Sequence, residues 1–329
     1  MKPYRILLPL LFIAALASCE KVLDFDTETE RTLVVNGMPS AQKQLFVNLS
    51  YSHLFLDANM QHPLTPEDIY IEVNGNRLTP SSTEGCNIFF NYIAQEDDTL
   101  AFHMTADGET VEARTYVPKM PVISNMKSQF DSSLTFNLGL ITFDLDDHAD
   151  IKEYYHINIV ERDSGVRYNP RYERYDTIDT IFHTYFLVLS PELNEGALSL
   201  ENLASRILTT DKNIDGKHCN ISLALLMLID TNEVAPFAHQ YTLNIESITY
   251  DRYLYLKDIG RSTNSTTSFS EPFSIYTNIK GKAVGIFAGN ASKQYHFTFD
   301  RPPAPTSHQH LKHLIKKNIE SYRHTIQKK

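Results

Sequence analysis

The chain has 329 residues, of which 42% are hydrophobic and 21% are charged, with no tryptophan and only three cysteines. This composition is typical of folded globular domains and excludes a largely disordered chain, while three cysteines are too few for a disulfide framework. The formal net charge is −10 at pH 7. An acidic protein is a poor candidate for binding nucleic acid, because contacts to phosphate need a basic surface.

The N-terminus combines two cations, Lys2 and Arg5, with an apolar run over residues 6–17 and small residues before Cys19. This order is typical of a secretory signal peptide. The run is too short to cross a bilayer, which takes about 20 residues. A cysteine at the cleavage point resembles the lipobox of bacterial lipoproteins, so we predict a signal peptide over 1–18 and lipidation of Cys19. The alternative is an ordinary signal peptide in which this cysteine occurs by chance.

Residues 19–30 are polar and acidic without apolar periodicity, which predicts a tether between the anchor and the folded part. Short stretches that alternate apolar and polar residues follow, the pattern of half-buried strands. Asn74-Gly75 and Asp107-Gly108 lie between such stretches, and these dipeptides are strong hairpin signals. The segment 31–117 is therefore predicted to be an all-β domain, an immunoglobulin- or transthyretin-like sandwich.

Pro118 and Pro121 mark a domain boundary, because proline interrupts both β-ladders and helices. A second series of alternating stretches follows. It includes a turn predicted at Asp163-Ser164-Gly165 and a closing strand predicted over 283–287. We predict a second, fibronectin-like β-sandwich over 118–300.

Two segments of the second domain show apolar residues at helical spacing, over 198–208 and 247–259. Both are predicted to be short helices inserted in the sandwich. Gly260 follows the second segment directly, and glycine just after a helical pattern is a stop signal.

Prolines end the second series, and the segment 301–329 after it carries seven cations and one anion. Apolar side chains recur on one face at helical spacing with lysines opposite, which predicts a basic amphipathic tail. His308, His310 and His313 could together bind a transition metal. No carboxylate or cysteine lies close to them in the sequence, so we favour a solvated tail without a metal.

The acidic stretch 144–150 contains four aspartates and could suggest calcium, which prefers clustered carboxylates. Its spacing does not match an EF-hand loop, because Ala149 and Tyr155 occupy the positions that need glycine and glutamate. We predict a solvated acidic turn. Cys86 and Cys219 fall in different predicted domains, and we favour two unpaired thiols over a disulfide.

The sequence contains no glycine-flanked serine elbow, no phosphate-binding glycine loop and no zinc signature. We therefore expect no catalytic residue, no metal and no cofactor, hence a non-enzymatic protein.

Tyrosine and arginine are concentrated in the stretch 167–175, within a long insertion between predicted strands. The two residue types together are over-represented at recognition surfaces. The alternative is a hairpin that packs its tyrosines onto the sandwich. The candidate partner-binding residues are Arg167, Arg171, Tyr172, Arg174 and Tyr175.

Several turn and strand motifs follow one another in a characteristic order: Val34-Val35-Asn36-Gly37, Asp215-Gly216-Lys217, Asn278-Ile279-Lys280-Gly281 and Gly285-Ile286-Phe287-Ala288-Gly289. Their order and spacing, together with the lipobox, resemble the domain-of-unknown-function 4249 family. The resemblance covers nearly the whole mature chain up to about residue 300 and leaves out the basic tail. It implies an outer-membrane lipoprotein of Bacteroidota, commonly linked with TonB-dependent receptors, and it implies no catalytic residue.

The resemblance leads us to expect an accessory or binding lipoprotein of a TonB-dependent uptake system. It would be anchored to outer-membrane lipid through Cys19, on either the periplasmic or the cell-surface face. A surface adhesion or structural lipoprotein is the alternative, and an enzyme is less favoured.

Replacing Cys19 by serine removes the thiol that would carry the lipid. The Cys19→Ser protein should therefore move from the membrane fraction to the soluble fraction and lose incorporation of labelled fatty acid. Cys86→Ser is the matched control and should keep both the membrane location and the label. A processed Cys19→Ser protein that stays in the membrane fraction would contradict lipidation.

Overall fold

The computed structural model of the chain describes residues 31–52, 63–131, 138–190, 192–193, 205–226, 233–264 and 274–299. The predicted signal peptide, the tether with Cys19, and the basic tail lie outside these residues. The described part consists mostly of β-strands in antiparallel sheets, which confirms the predicted all-β fold. It contains no helix that is both long and apolar enough to cross a membrane.

Eighteen strands and one α-helix are present in the described ranges. The strands of the first part are β1 (Leu33–Gly37), β2 (Gln44–Tyr51), β3 (Asp68–Val73), β4 (Asn76–Leu78), β5 (Pro80–Glu84), β6 (Asn87–Ile93), β7 (Thr99–Ala106) and β8 (Glu109–Tyr116). They are followed by β9 (Val122–Asp131), β10 (Leu138–Asp146), β11 (Tyr154–Asn169), β12 (Arg174–His183), β13 (Phe186–Val188), β14 (Arg206–Thr210), β15 (His218–Leu226), β16 (Glu233–Ile248), α1 (Tyr250–Asn264), β17 (Ala283–Phe287) and β18 (Asn290–Phe297).

The first sandwich consists of two sheets, ordered β17-β1-β2-β6-β5 and β4-β3-β7-β8, around one apolar core. Side chains alternate between core and solvent along each strand, which is why Leu45, Val47 and Leu49 of β2 are all buried. Asn74-Gly75 joins β3 to β4, and Asp107-Gly108 joins β7 to β8, with positive φ at all four residues. Both hairpin predictions are confirmed.

The second sandwich has a sheet ordered β13-β15-β10-β9 and a sheet ordered β12-β11-β16-β18, with β14 also paired to β11. Phe143, Ile157 and Leu243 are among the buried side chains of the core they share. β11 and β16 have 16 residues each. The last part of β11 continues with β12 as a largely exposed hairpin, and this hairpin carries the predicted partner-binding residues.

The chain returns to the first sandwich near its C-terminus, so the predicted second domain over 118–300 is not one continuous unit. β17 pairs in parallel with β1, whereas β18 pairs with β16 of the second sandwich. The side chain of Phe287 lies in the first core. Gly289 lies at the crossing point, where a Cβ atom would overlap the carbonyl oxygen of Tyr116. The alternating pattern predicted a strand here but could not indicate which sheet it joins.

The helix predictions are only partly correct. Helix α1 begins at Tyr250, three residues later than predicted, because pairing with β11 extends β16 into the predicted helix. It also continues through Gly260, so this glycine does not end it. The helix predicted over 198–208 is wrong in its described part, where strand β14 pairs with β11, and residues 198–204 lie outside the described ranges.

The turn predicted at Asp163-Ser164-Gly165 is also wrong. β11 passes through this tripeptide with a β-bulge in its pairing to β16. The chain reverses instead at residues 170–173, between Asn169 and Arg174. A bulge accommodates one extra residue without ending the strand, and the arginine- and tyrosine-rich stretch therefore lies at a hairpin tip.

Cys86 and Cys219 are unpaired, as predicted. Cys219 is buried and Cys86 is half-buried. Burial raises the pKa of the Cys219 thiol, which keeps the thiol protonated and poorly reactive.

Replacing Phe287 by alanine should destabilise the first sandwich by about 3–5 kcal/mol, because it opens a large cavity in that core. Chemical denaturation measures the loss, and hydrogen exchange should locate it in β1, β2 and β6. Val284 lies on the same strand but is exposed, so Val284→Ala should cost about 1 kcal/mol or less. Faster exchange confined to the second sandwich would contradict the placement of β17.

Candidate functional site

The tip of the β11–β12 hairpin presents aromatic and cationic side chains to solvent. Tyr172 is 60% exposed and Tyr175 is 67% exposed. The guanidinium carbons of Arg171 and Arg174 lie 5.5 and 5.4 Å from the centre of the Tyr172 ring. These distances are within the range of cation–π attraction. We call Arg171, Tyr172, Arg174 and Tyr175 the hairpin surface.

Aromatic packing and exposed apolar side chains extend the hairpin surface along β12. The rings of Tyr175 and Tyr168 are 5.2 Å apart, so Tyr175 packs against a neighbour while staying exposed. Ile181, Phe182 and Tyr185 are also exposed. Together with the two tyrosines of the tip, they place five large exposed side chains on or next to this hairpin. The alternative to partner binding required the tyrosines of this hairpin to pack onto the sandwich. The two tyrosines at the tip do not do so.

Ionic contacts and hydrogen bonds supplement the backbone ladder of the hairpin. Arg162 donates two hydrogen bonds of 2.9 Å to Asp179, one to each carboxylate oxygen. Asp176 accepts from Asn169 at 2.8 Å and from Arg174 at 2.7 Å. The hydrogen bonds from Arg162 lower the pKa of Asp179. The hydrogen bond from Asn169 is the main reason that the pKa of Asp176 is also lowered. Both aspartates therefore stay ionised, and the contacts persist at neutral pH.

Arg167 pairs with Asp176 near the tip end of β11, but its side chain extends away from the other four predicted residues, towards the root of the hairpin. Its Nη2 lies 3.4 Å from Asp163 Oδ2, and its guanidinium carbon lies 5.3 Å from the centre of the Phe237 ring. The structure therefore brings four of the five candidate residues together at the tip and places the fifth beside a buried carboxylate.

The core-facing side of β11 changes from apolar to charged as the strand approaches the hairpin. Residues two apart on a strand face the same side of the sheet, so Ile157, Ile159, Glu161 and Asp163 share one face. The two isoleucines are fully buried, and the two acids are only 8% and 5% exposed. Ionised side chains are rarely buried to this extent unless partners compensate for the lost hydration.

The compensating partners come from the paired strand β16. The register places Tyr241 opposite Glu161 and His239 opposite Asp163. His239 Nδ1 lies 2.7 Å from Asp163 Oδ1 and 3.1 Å from Glu161 Oε1. The Tyr241 hydroxyl donates to Glu161 Oε1 at 2.6 Å. We call Glu161, Asp163 and His239 the root cluster.

The root cluster was not predicted from the sequence. His239 is 76 residues away from Asp163 along the chain, and only the register of β11 with β16 makes them neighbours. The sequence did contain one indication of the cluster. Glu161 and Asp163 continue the alternating pattern at positions that should face the core of an otherwise apolar strand. Such a pattern indicates a buried polar site but does not identify the partner.

The acidic stretch 144–150 is partly buried, so the prediction of a solvated turn is wrong. Asp147 accepts hydrogen bonds from the Tyr155 hydroxyl at 2.8 Å and from the Gly216 N–H at 3.0 Å. The same hydroxyl lies 2.8 Å from Glu153 Oε2. Burial, reinforced by the nearby charge of Glu153, raises the pKa of Asp147 to about 6 against the opposing effect of its two hydrogen bonds.

Comparison with known proteins identifies a family. The family model described as Domain of unknown function (DUF4249) matches residues 20–296. No curated protein matches the chain. One similar solved chain is described as "Complete structure of manganese lipoxygenase of Gaeumannomyces graminis and partial structure of zonadhesin of Komagataella pastoris". It covers 81% of this chain and 96% of its own length at 8% identity, with a TM-score of 0.16. Such a low TM-score carries no argument about fold or function.

Replacing Asp147 by asparagine should change how stability depends on pH. The folded-state pKa of Asp147, about 6, lies above the ordinary value of 3.8, so folding favours the protonated carboxyl group. This contribution is present at pH values below the ordinary pKa and is lost as the pH rises through 6. The free energy of unfolding of the unaltered protein, relative to Asp147→Asn, should rise by about 1–2 kcal/mol between pH 7 and pH 4.

Denaturant titrations at several pH values measure this difference. Asp150 is exposed in the same stretch, and Asp150→Asn is the control that should leave the pH profile unchanged. Parallel profiles for the unaltered protein and Asp147→Asn would contradict the raised pKa.

Proposed function

This chain belongs to the DUF4249 family, and we propose that it is a non-enzymatic lipoprotein of the outer membrane that binds a protein partner of a TonB-dependent uptake system. The N-terminal signal and Cys19 support the lipid anchor. The family resemblance supports the association with a TonB-dependent receptor. The hairpin surface supports the binding role, and it is the observation that carries the proposal.

The hairpin surface has the chemistry of a protein-binding site. Tyrosine and arginine are enriched among the residues that dominate interface energies. Tyrosine supplies a large contact area at a small entropy cost, because only two side-chain torsions must be fixed. Tyr172 is already in contact range of two guanidinium groups before any partner binds.

The shape of the hairpin is also fixed in advance. The two strands form a continuous antiparallel ladder, to which the Arg162–Asp179 ion pair adds a contact at the root and the Asn169–Asp176 hydrogen bond adds one near the tip. A surface that is ordered before binding loses less conformational entropy in the complex. The paired strands therefore favour recognition by an ordered hairpin over recognition by a flexible loop.

The length of the predicted tether limits where the partner can be. Residues 19–30 are 12 residues, and an extended chain reaches at most about 3.3–3.6 Å per residue, hence about 40 Å in total. A protein anchored through Cys19 would keep its folded part within that distance of the membrane. A receptor embedded in the same membrane is therefore within reach of the hairpin.

Replacing Arg171 and Tyr172 together by alanine should reduce capture of the TonB-dependent receptor from detergent-solubilised membranes at least tenfold. The reason is that arginine and tyrosine are typical hot-spot residues of interfaces. Truncating a hot-spot residue typically costs about 2 kcal/mol or more of binding free energy. The free energy of unfolding should change by less than about 1 kcal/mol, because both side chains are on the surface. Quantitative pulldown with the tagged protein and denaturant titration give the two values.

A second arginine–tyrosine pair supplies the matched control. The Arg77 guanidinium carbon lies 3.7 Å from the centre of the Tyr70 ring on the first sandwich, and replacing both by alanine should leave capture unchanged. A large loss of stability in the Arg171/Tyr172 variant with normal capture would show that the hairpin is structural. Capture of other cells or matrix instead of a receptor would favour the adhesion alternative.

A further inference from the structure

We infer that the root cluster is a binding site for a divalent transition-metal ion of the zinc class. One potential ligand atom from each of Glu161, Asp163 and His239 lies within 4.8 Å of the other two. The three side chains come from two paired strands, so their backbone positions are fixed by the sheet. Rigid elements of this kind support precise ligand geometry better than loops do.

The spacing of the three ligand atoms is close to that required by a metal ion. Two ligands that each lie 2.0–2.1 Å from Zn²⁺ at a tetrahedral angle are about 3.3 Å apart. His239 Nδ1 lies 2.7 Å from Asp163 Oδ1 and 3.1 Å from Glu161 Oε1. The nitrogen therefore needs to separate from these two oxygens by only about 0.2–0.6 Å.

The donor set indicates the class of ion. Imidazole nitrogen is a good ligand for Zn²⁺, Fe²⁺, Ni²⁺ and Cu²⁺ and a poor one for Ca²⁺ and Mg²⁺. Two carboxylate oxygens and one imidazole, with no thiolate among the three, do not select Cu⁺. Zn²⁺ is commonly bound by histidine together with aspartate or glutamate, which makes it the probe that best matches the site.

Each carboxylate also has an outer contact on its second oxygen. Thr184 Oγ1 donates to Glu161 Oε2 at 3.2 Å, and Arg167 Nη2 donates to Asp163 Oδ2 at 3.4 Å. Contacts of this type orient the ligands of metal sites. Arg167 contacts the oxygen that His239 does not contact, so the guanidinium charge lies on the side of the carboxylate away from the ligand atoms.

A proton on His239 Nδ1 is the competing occupant of the site. A single N–H group can form a well-aligned hydrogen bond to only one oxygen. Carboxylate oxygens of both Glu161 and Asp163 nevertheless lie within hydrogen-bond distance of this nitrogen. A dication between the three atoms contacts all of them and offsets the repulsion of two buried anions. Metal binding displaces the proton, because the nitrogen lone pair must be available to the ion.

A bound ion would join β11 to β16 at the root of the hairpin and limit how the tip moves. This consequence rests on the proposed function, whereas the metal site itself does not. Metal binding is therefore measured without any partner, so that its failure and the failure of partner capture are separate results.

Calorimetric titration of the full chain with Zn²⁺ tests the site, after EDTA treatment and removal of the chelator. The background protein carries glutamine in place of His308, His310 and His313, which excludes binding by the tail. We expect one Zn²⁺ per chain. His239→Gln should weaken binding at least tenfold, because loss of an outer contact alone costs about 10–100-fold. Co²⁺ in place of Zn²⁺ should give a ligand-field absorption spectrum that His239→Gln removes.

His218 supplies a matched control on the other sheet of the same sandwich. Its ring nitrogens also lie near two carboxylates, at 2.5 Å from Asp146 and 3.7 Å from Asp144, but its side chain is 60% exposed. His218→Gln should leave Zn²⁺ affinity unchanged. Asp163→Asn is a second disruption of nearly equal size and should weaken binding as His239→Gln does.

If both disruptive variants fail to fold, NMR of the background protein tests the site instead. Zn²⁺ bound there must shift the ring signals of His239. Three results would overturn the site. They are the absence of stoichiometric Zn²⁺ binding in the background protein, affinity that survives both disruptive substitutions, and His239 ring signals that do not respond to Zn²⁺.

Discussion

The antiparallel pairing of β11 with β16 is the constraint on which the second sandwich depends. Its register places Ile157 opposite Ile245 in the core and Asp163 opposite His239 at the hairpin root. Because side chains alternate between faces, a slip of one residue would turn the core residues of a strand towards solvent. The same hydrogen-bond ladder therefore determines the apolar core, the root cluster and the direction in which the hairpin leaves the sheet.

The two sandwiches are connected by more than the chain segment at Pro118. β17 belongs to the first sandwich, although it follows most strands of the second sandwich along the chain, and Gly289 returns the chain directly to β18. Beside this crossing, α1 is tied to β16 by a buried ionic contact, in which Arg252 Nη2 donates to Glu246 Oε2 at 3.0 Å. His156 Nδ1 lies 2.9 Å from the same oxygen. Burial alone would raise the pKa of Glu246, but these two partners lower it overall, so the acid remains charged.

Three layers of the hairpin have different chemistry and different roles. The root is a buried cluster of two acids and a histidine, suited to a cation. Further towards the tip, Asn169 of β11 donates a hydrogen bond across the strands to Asp176 of β12. The tip exposes Tyr172 and Tyr175, as expected for a recognition surface. A projection that is anchored in a sandwich core suits the proposed accessory role, in which the predicted lipid anchor would hold the protein near a membrane-bound partner.

The sequence by itself determined the features that depend on local chemistry. Asn74-Gly75 and Asp107-Gly108 predicted their hairpins because such turns need positive φ, and composition alone located the arginine- and tyrosine-rich stretch, although not its place at a hairpin tip. Only the tertiary structure decided that the chain reverses at 170–173, that the Arg167 side chain extends from there towards Asp163, that β17 joins the first sandwich, and that Asp163 meets His239. The physical reason is that alternation specifies which face of a strand is buried but not which strand lies beside it. Strand neighbours are chosen by hydrogen-bond ladders and core packing between segments far apart in the chain.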